Sequence, residues 1–131
     1  MSKKIAVVLS GSGYLDGSEI TEAVSSLICL AKHKVSYDCF APNMEVSEMD
    51  HICGEETGQK INVLKESARI SRGKIQGLAE LKAEDYDALL IPGGYGAAKN
   101  LSDFATRGAG GRADDKIAKI IKDFHTQSKP I

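Results

Sequence analysis

An excess of charge of either sign is missing from this chain. Seventeen basic residues face eighteen acidic ones, a formal net charge of −1, so no global field draws it to nucleic acid or to an anionic membrane. Long apolar runs are missing as well, and the longest present is far too short to cross a bilayer. Met1-Ser2-Lys3-Lys4 leads straight into a strand pattern instead of the apolar region of a signal peptide. Cysteine is scarce and odd in number. Cys29, Cys39 and Cys53 lack close metal-type spacing, which fits a reducing compartment and predicts a cytoplasmic protein. There is no internal repeat, low-complexity tract or domain linker. What remains is a chain of 131 residues, 42% hydrophobic and 27% charged, enough for a single α/β domain with a real core.

Strand and helix patterns alternate along it. Residues 5–9 are near-continuously apolar, as in a central parallel strand. Ser10-Gly11-Ser12-Gly13 and the residues to Gly17 form a loop. A helix follows, with Ile20, Ala23, Val24, Leu27, Ile28 and Ala31 at helical spacing. Asp16 and Glu19 stand three apart at its start, as in a capping box, and Lys32, His33 and Lys34 suit its C-terminus. Residues 35–41 read as a second strand ended by Pro42, and 43–60 as a long polar, irregular loop of the kind that is often functional or part of an interface. Val63, Leu64, Ala68 and Ile70 mark a short helix stopped near Gly73. Residues 75–81 are ambiguous, with an edge strand as one reading. After the strand at 87–91, a helix is expected to start over 101–104 and to break at 106–112. Residues 114–127 form an amphipathic helix with Ile117, Ile120, Ile121 and Phe124 on one face. The alternation predicts an open, mostly parallel, doubly wound sheet of the flavodoxin-like kind. Lys129-Pro130-Ile131 reads as the entry to another strand, with one face of the last helix left little to pack on. The chain is therefore expected to be the N-terminal part of a longer domain.

The stretch Ile91-Pro92-Gly93-Gly94-Tyr95-Gly96-Ala97-Ala98 organises the chemistry. Pro92 marks the end of a buried strand, and Gly93 and Gly94 permit a sharp turn at its carboxyl end, where open parallel sheets place ligands. Two readings fit: a turn that needs glycine sterically, and a site loop presenting bare N–H groups. Gly11 and Gly13 hint at dinucleotide binding, but Asp16 stands where the third glycine belongs, and the second strand ends in Phe40-Ala41-Pro42 without an acid. Cys29 and Cys39 read as core. Cys53, with His51 and Glu55 nearby, is the one cysteine in polar company, either bystander, nucleophile or metal ligand. His33 and His125 look like exposed helix-end residues. Arg107 and Arg112 flank a glycine-rich run that contacts an anion or is simply solvated.

Several of these motifs carry a family resemblance. Ile5 to Gly13, Asp16-Gly17-Ser18-Glu19-Ile20, Phe40-Ala41-Pro42, Gly54-Glu55, Asn62-Val63-Leu64, Ala68-Arg69-Ile70, Arg72-Gly73 and Pro92 through Leu101 resemble the enhancing-lycopene-biosynthesis proteins. Those are glyoxalase-like members of the class I glutamine amidotransferase-like, PfpI-type superfamily. The resemblance covers essentially the whole chain. It implies a flavodoxin-like fold and a longer protein that continues through a strand into a nucleophile elbow with a reactive cysteine, beyond the equivalent of Lys129-Pro130.

The resemblance implies a cysteine-dependent lyase acting on small dicarbonyls such as methylglyoxal, with a link to isoprenoid biosynthesis. Glu19 is implied as the acid beside the elbow cysteine, a role compatible with helix capping. Gly93 and Gly94 are implied as backbone oxyanion donors. Gly11, Gly13 and Asn100 are candidates for substrate binding, with Asn100 and Lys99 also able to orient the loop or cap a helix. No metal or organic cofactor is required. The expected partners are a small carbonyl substrate, a second copy in a homodimer and a C-terminal companion fragment, with no nucleic acid or membrane. A different class of function is a non-catalytic binding or regulatory module that keeps the pocket without turnover, with 43–60 as its interaction surface.

Overall fold

The computed structural model describes residues 2–131, so Met1 of the N-terminal lead-in lies outside the described residues. Four parallel strands form the central sheet: β1 (Lys4–Val8), β2 (Ser36–Ala41), β5 (Ile75–Gly77) and β6 (Ala88–Leu90), in the order β5-β2-β1-β6. Helices α1 (Ile20–Lys32) and α2 (Val63–Ser71) lie on one face, and α5 (Asp115–Thr126) on the other. This is the expected doubly wound α/β fold.

Alternation along β1 feeds two cores. Ala6 and Val8, with Phe40 of β2, meet Ile117, Ile120 and Phe124 of α5. Val7 and Leu9, with Cys39 and Ala41, meet Ala23 and Leu27 of α1 and Val63 of α2. A strand buried on both faces must be apolar at successive positions, which is why residues 5–9 read as a continuous run. The last helix departs from expectation. Its apolar face is fully employed, with Phe124 at 0% exposure. The carbonyl of Pro130 accepts the Leu89 N–H at 3.0 Å, so 129–131 run beside β6 as a strand entry would.

Three other segments differ from the sequence reading. Most of 43–60 is an antiparallel hairpin, β3 (Glu45–Asp50) with β4 (Glu55–Asn62), interrupted by an irregularity at Ser47/Met49. β4 is largely exposed and β3 half-buried, and neither carries the apolar alternation that would have announced it. Of 75–81 only Ile75–Gly77 is strand, and a 3-10 turn follows. No helix covers 101–103; α3 (Tyr95–Lys99) starts directly after the glycine turn, and α4 (Phe104–Arg107) is a single turn.

At the amino end of the sheet, Asp38 accepts the Tyr86 hydroxyl at 2.7 Å and pairs with Lys4 Nζ at 2.7 Å. Lys4, and then the Tyr86 hydrogen bond, hold the Asp38 carboxyl below the usual carboxylate range. Burial, reinforced by Asp38, pushes the Tyr86 phenol up. A carboxyl lowered in the folded state adds stability above its unfolded pKa and loses it as pH falls through the folded one. Asp38→Asn should therefore lower stability at neutral pH, and its deficit against the parent should close as pH drops below about 4. Chemical denaturation across that range measures both.

Candidate active site at the glycine turn

The order of the sheet places a switch point between β1 and β6: the chain leaves β1 towards β2 on one side and reaches β6 on the other. Loops diverge there and open a crevice at the carboxyl ends of the strands. The β1–α1 loop and the β6–α3 turn form its two sides.

They are locked together. The Glu19 N–H donates to the Gly93 carbonyl at 2.8 Å, Tyr95 N–H to the Tyr14 carbonyl at 2.7 Å, and Gly96 N–H to the Gly17 carbonyl at 2.9 Å. Gly94 has φ +110°, and a Cβ there would collide with the Glu19 nitrogen and the Gly17 oxygen. A Cβ on Gly96 would strike Ser10 Oγ and Gly17. Glycine is thus required at both positions, as the steric reading of the turn held.

The two loops use their amides differently. In the β1–α1 loop the Gly11 N–H goes to Ser67 Oγ at 2.9 Å, Gly13 N–H to the Ser18 carbonyl at 3.1 Å and Ser18 N–H to the Gly11 carbonyl at 3.3 Å. A Cβ on Gly13 would meet the His51 ring, so that glycine seats the hairpin. The amides of both glycines are thus taken, and neither is left for a pyrophosphate. At the glycine turn, by contrast, the Gly93 and Gly94 N–H groups donate to no acceptor among the described residues.

Two carboxylates stand at the start of α1. Glu19 is its N-cap, with Oε2 accepting the Glu22 N–H at 2.7 Å. The expected box with Asp16 is not formed: Asp16 is buried and its Oδ2 accepts the Met49 N–H at 2.8 Å, tying the hairpin down. Glu22, which sequence reasoning passed over, lays its carboxylate against Gly93, where a Cβ would meet Oε2. The signal was available: Glu22 lies one helical turn beyond Glu19 and shares its side of α1.

Asn100 is 4% exposed, and its Nδ2 donates to the Ser10 carbonyl at 2.7 Å and the Asp16 carbonyl at 3.0 Å. Lys99 Nζ donates to the Leu15 carbonyl at 3.1 Å. Both orient the loop, one of the two roles open to them. Arg107 pairs with Asp103 at 3.4 Å, while Arg112 is exposed.

The cysteines fall elsewhere. Cys29 is exposed on α1, with Sγ 3.7 Å from His33 Nδ1, and so is not core. Cys39 is buried within β2, and burial, with help from Asp38, raises its thiol to about 11. Cys53 lies exposed in the hairpin turn beside Asp50. His51 Nε2 accepts the Leu15 N–H at 3.3 Å and its Nδ1 faces the Met49 carbonyl at 3.0 Å, so His51 clamps the hairpin instead of activating Cys53. Among the described residues no cluster of three His, Cys, Asp or Glu is arranged to hold a metal ion. Among the described residues no helix is long and apolar enough to cross a membrane.

Two measurements check this geometry. Gly94→Ala should cost roughly 1–3 kcal/mol in denaturant unfolding, because φ is positive and backbone blocks the added carbon. Iodoacetamide on the native protein should label Cys29 and Cys53 and spare Cys39 until denaturant is added, as peptide mass mapping will read.

No protein-family model matches the chain. It is 45% identical over 130 residues to the human glutamine amidotransferase-like class 1 domain-containing protein 3, mitochondrial, covering 98% of this chain and 48% of that protein. It is 36% identical over 133 residues to the ES1 protein, mitochondrial, of Danio rerio, covering 97% and 49% respectively. The crystal structure of an isoprenoid biosynthesis protein with amidotransferase-like domain from Ehrlichia chaffeensis matches with a TM-score of 0.92 at 39% identity, over 99% of this chain and 60% of that one. The chain thus spans about half the length of the curated relatives it matches. Identity along nearly all of these residues, joined to the same fold at a TM-score of 0.92, supports the class I glutamine amidotransferase-like superfamily for this chain.

Proposed function

We propose that this chain supplies the acid and oxyanion-binding half of a thiol-dependent carbonyl site. The whole protein is then a glyoxalase-like lyase acting on small dicarbonyls such as methylglyoxal, within the enhancing-lycopene-biosynthesis branch of the superfamily. The observation that carries this reading is the pairing of two unengaged N–H groups, on Gly93 and Gly94, with the Glu22 carboxylate at one turn. A thiolate adds to the aldehyde carbon, and the carbonyl electron pair moves to oxygen, where the two N–H groups steady it. Glu22 takes the proton from that carbon and returns it to the neighbouring one, while the former ketone oxygen takes up the proton that the thiol released on ionising, leaving a thioester. Water hydrolyses the thioester to lactate and regenerates the thiol. Glu19 supports this by capping α1 and fixing Glu22 in its first turn.

None of Cys29, Cys39 and Cys53 stands at this turn, so the reading assigns the thiolate to polypeptide outside these 131 residues. The greater length of the matched relatives supports that. No metal or organic cofactor enters the scheme. The Ehrlichia protein is named for isoprenoid biosynthesis, and we extend that association to this chain. Three unpaired thiols favour a reducing compartment, which we take to be the cytoplasm. A homodimer is supported by α1, whose outer side exposes Ile20, Val24 and Ile28 at 47%, 38% and 62%.

Intact mass, native and denatured, should be read beside methylglyoxal consumption. A preparation holding a thiol-bearing companion segment should turn methylglyoxal over and lose activity on alkylation. In it, Glu22→Gln should lower kcat about 100-fold or more. Glu19→Gln should act mainly on stability, by about 1 kcal/mol. Turnover that survives Glu22→Gln but not Glu19→Gln would transfer the acid role to Glu19. No turnover in such a preparation would leave a binding module.

A further inference from the structure

Both ring nitrogens of His51 are committed, and their partners fix its protonation. The Met49 carbonyl, 3.0 Å from Nδ1, can only accept, so Nδ1 carries a hydrogen. The Leu15 N–H, 3.3 Å from Nε2, can only donate, so Nε2 offers its lone pair. His51 is therefore neutral in this arrangement, with its hydrogen on Nδ1. Imidazole is the side chain whose charge ordinarily changes between about pH 5 and 8. A second proton has only Nε2 to go to, where it sets one N–H against another, that of Leu15.

A different acceptor stands beside that nitrogen. Asp16 Oδ1 lies 3.9 Å from His51 Nε2, too far for a hydrogen bond, and accepts none from the described residues. Its other oxygen, Oδ2, holds the Met49 N–H at 2.8 Å, so the carboxylate is already anchored to the hairpin. Gly13 keeps the gap open: a Cβ there would stand 3.0 Å from Asp16 Oδ1 and 3.2 Å from His51 Nε2.

The other groups around the ring come from three elements. Asp50 faces it from the hairpin, its carboxyl held low by the Ile52 N–H and, to a smaller extent, by His51. Tyr14 of the β1–α1 loop meets the ring edgewise at 5.7 Å between centroids. From α3 comes one cation, Lys99, with Nζ on the Leu15 carbonyl at 3.1 Å. The corner that His51 holds also carries the Tyr14 carbonyl, which accepts the Tyr95 N–H at 2.7 Å directly after Gly94. The state of this corner therefore reaches the glycine turn.

We infer that His51 is a proton-operated latch on the β1–α1 loop. Neutral, it holds the Leu15 N–H. Protonated from solvent, it turns Nε2–H to Asp16 Oδ1 and releases Leu15, which loosens the corner beside the glycine turn. The latch rests on this geometry and not on the carbonyl chemistry proposed above.

The test is NMR of the ¹⁵N-labelled chain between about pH 8.5 and about pH 5, a range that spans imidazole titration. At the upper end, long-range ¹⁵N–¹H spectra should place the His51 hydrogen on Nδ1 instead of on Nε2. As the ring titrates, the Leu15 amide should shift with the same midpoint and its protection from hydrogen exchange should fall about tenfold. The Tyr95 amide should shift with it. His51→Gln, an exposed change whose side-chain oxygen still accepts from Leu15, should leave both amides flat across the range. A hydrogen on Nε2 at the upper end, or a Leu15 or Tyr95 amide indifferent to the ring's titration, would overturn the latch. So would a Leu15 transition that survives in His51→Gln, since it would belong to Asp16.

Discussion

The structure turns on one close approach, that of Gly94 and Gly96 to Ser10, Gly17 and Glu19. Each contact is backbone against backbone, or against a short hydroxyl, with no room for a single added carbon. The approach joins the loop after β1 to the turn after β6, two segments some eighty residues apart in sequence. Three hydrogen bonds of 2.7 to 2.9 Å cross the seam, from Glu19, Tyr95 and Gly96. Because the seam fixes where α1 and α3 begin, it also fixes where Glu22 and the Gly93 and Gly94 amides point. The geometry of the crevice is thus a consequence of packing between loops, carried by the sheet beneath.

A second layer of support is polar and buried. Asp16 and Asn100 are both nearly inaccessible, and each serves main-chain groups: Asp16 the Met49 N–H, Asn100 the carbonyls of Ser10 and Asp16 itself. Removing either would leave buried backbone groups without partners, a cost of about 1–3 kcal/mol for each group. Hairpin, loop and α3 are joined through these two side chains, with His51 closing the outer edge against Leu15. An irregular loop of this length keeps its shape because the amides of Ser10, Gly11, Gly13, Leu15, Asp16 and Ser18 are all paired inside the protein.

How much of this was legible follows from where the information lies. The parallel sheet could be read because β1 and β2 must be apolar on both faces, and residues 5–9 and 39–41 are. The hairpin could not, because β4 faces solvent and carries Glu, Thr, Gln and Lys, while half-buried β3 offers only Val46 and Met49 in place of an apolar alternation. In α1 the periodicity was correct but ambiguous. Ala23 and Leu27 make one apolar stripe and Ile20, Val24 and Ile28 another, and spacing alone does not say which meets the sheet. Cys29 was placed in the core for that reason and lies outside it. The start of α3 was missed because its first N–H groups are capped by the carbonyls of Tyr14 and Gly17, partners that only the folded chain brings near. Glu19 was found by motif, whereas Glu22 required knowing which residue the first turn of α1 lays over Gly93.

The contrast between the two glycine-rich segments bears on how such sites are recognised. Gly11-x-Gly13 and Gly93-Gly94 each follow a buried strand and precede a helix, although the first departs from the dinucleotide pattern at Asp16. In the folded chain the first has its donors taken by Ser67 and Ser18, and its positive φ angles serve close packing. The second keeps its donors free, and a carboxylate lies beside them. Glycine in a turn answers a steric demand in both cases. What separates a binding turn from a structural one is whether the amides that glycine bares have somewhere else to go. Here the free pair lies at the switch point of the sheet, where the fold itself leaves an opening, and the satisfied pair forms the wall against which that opening is held.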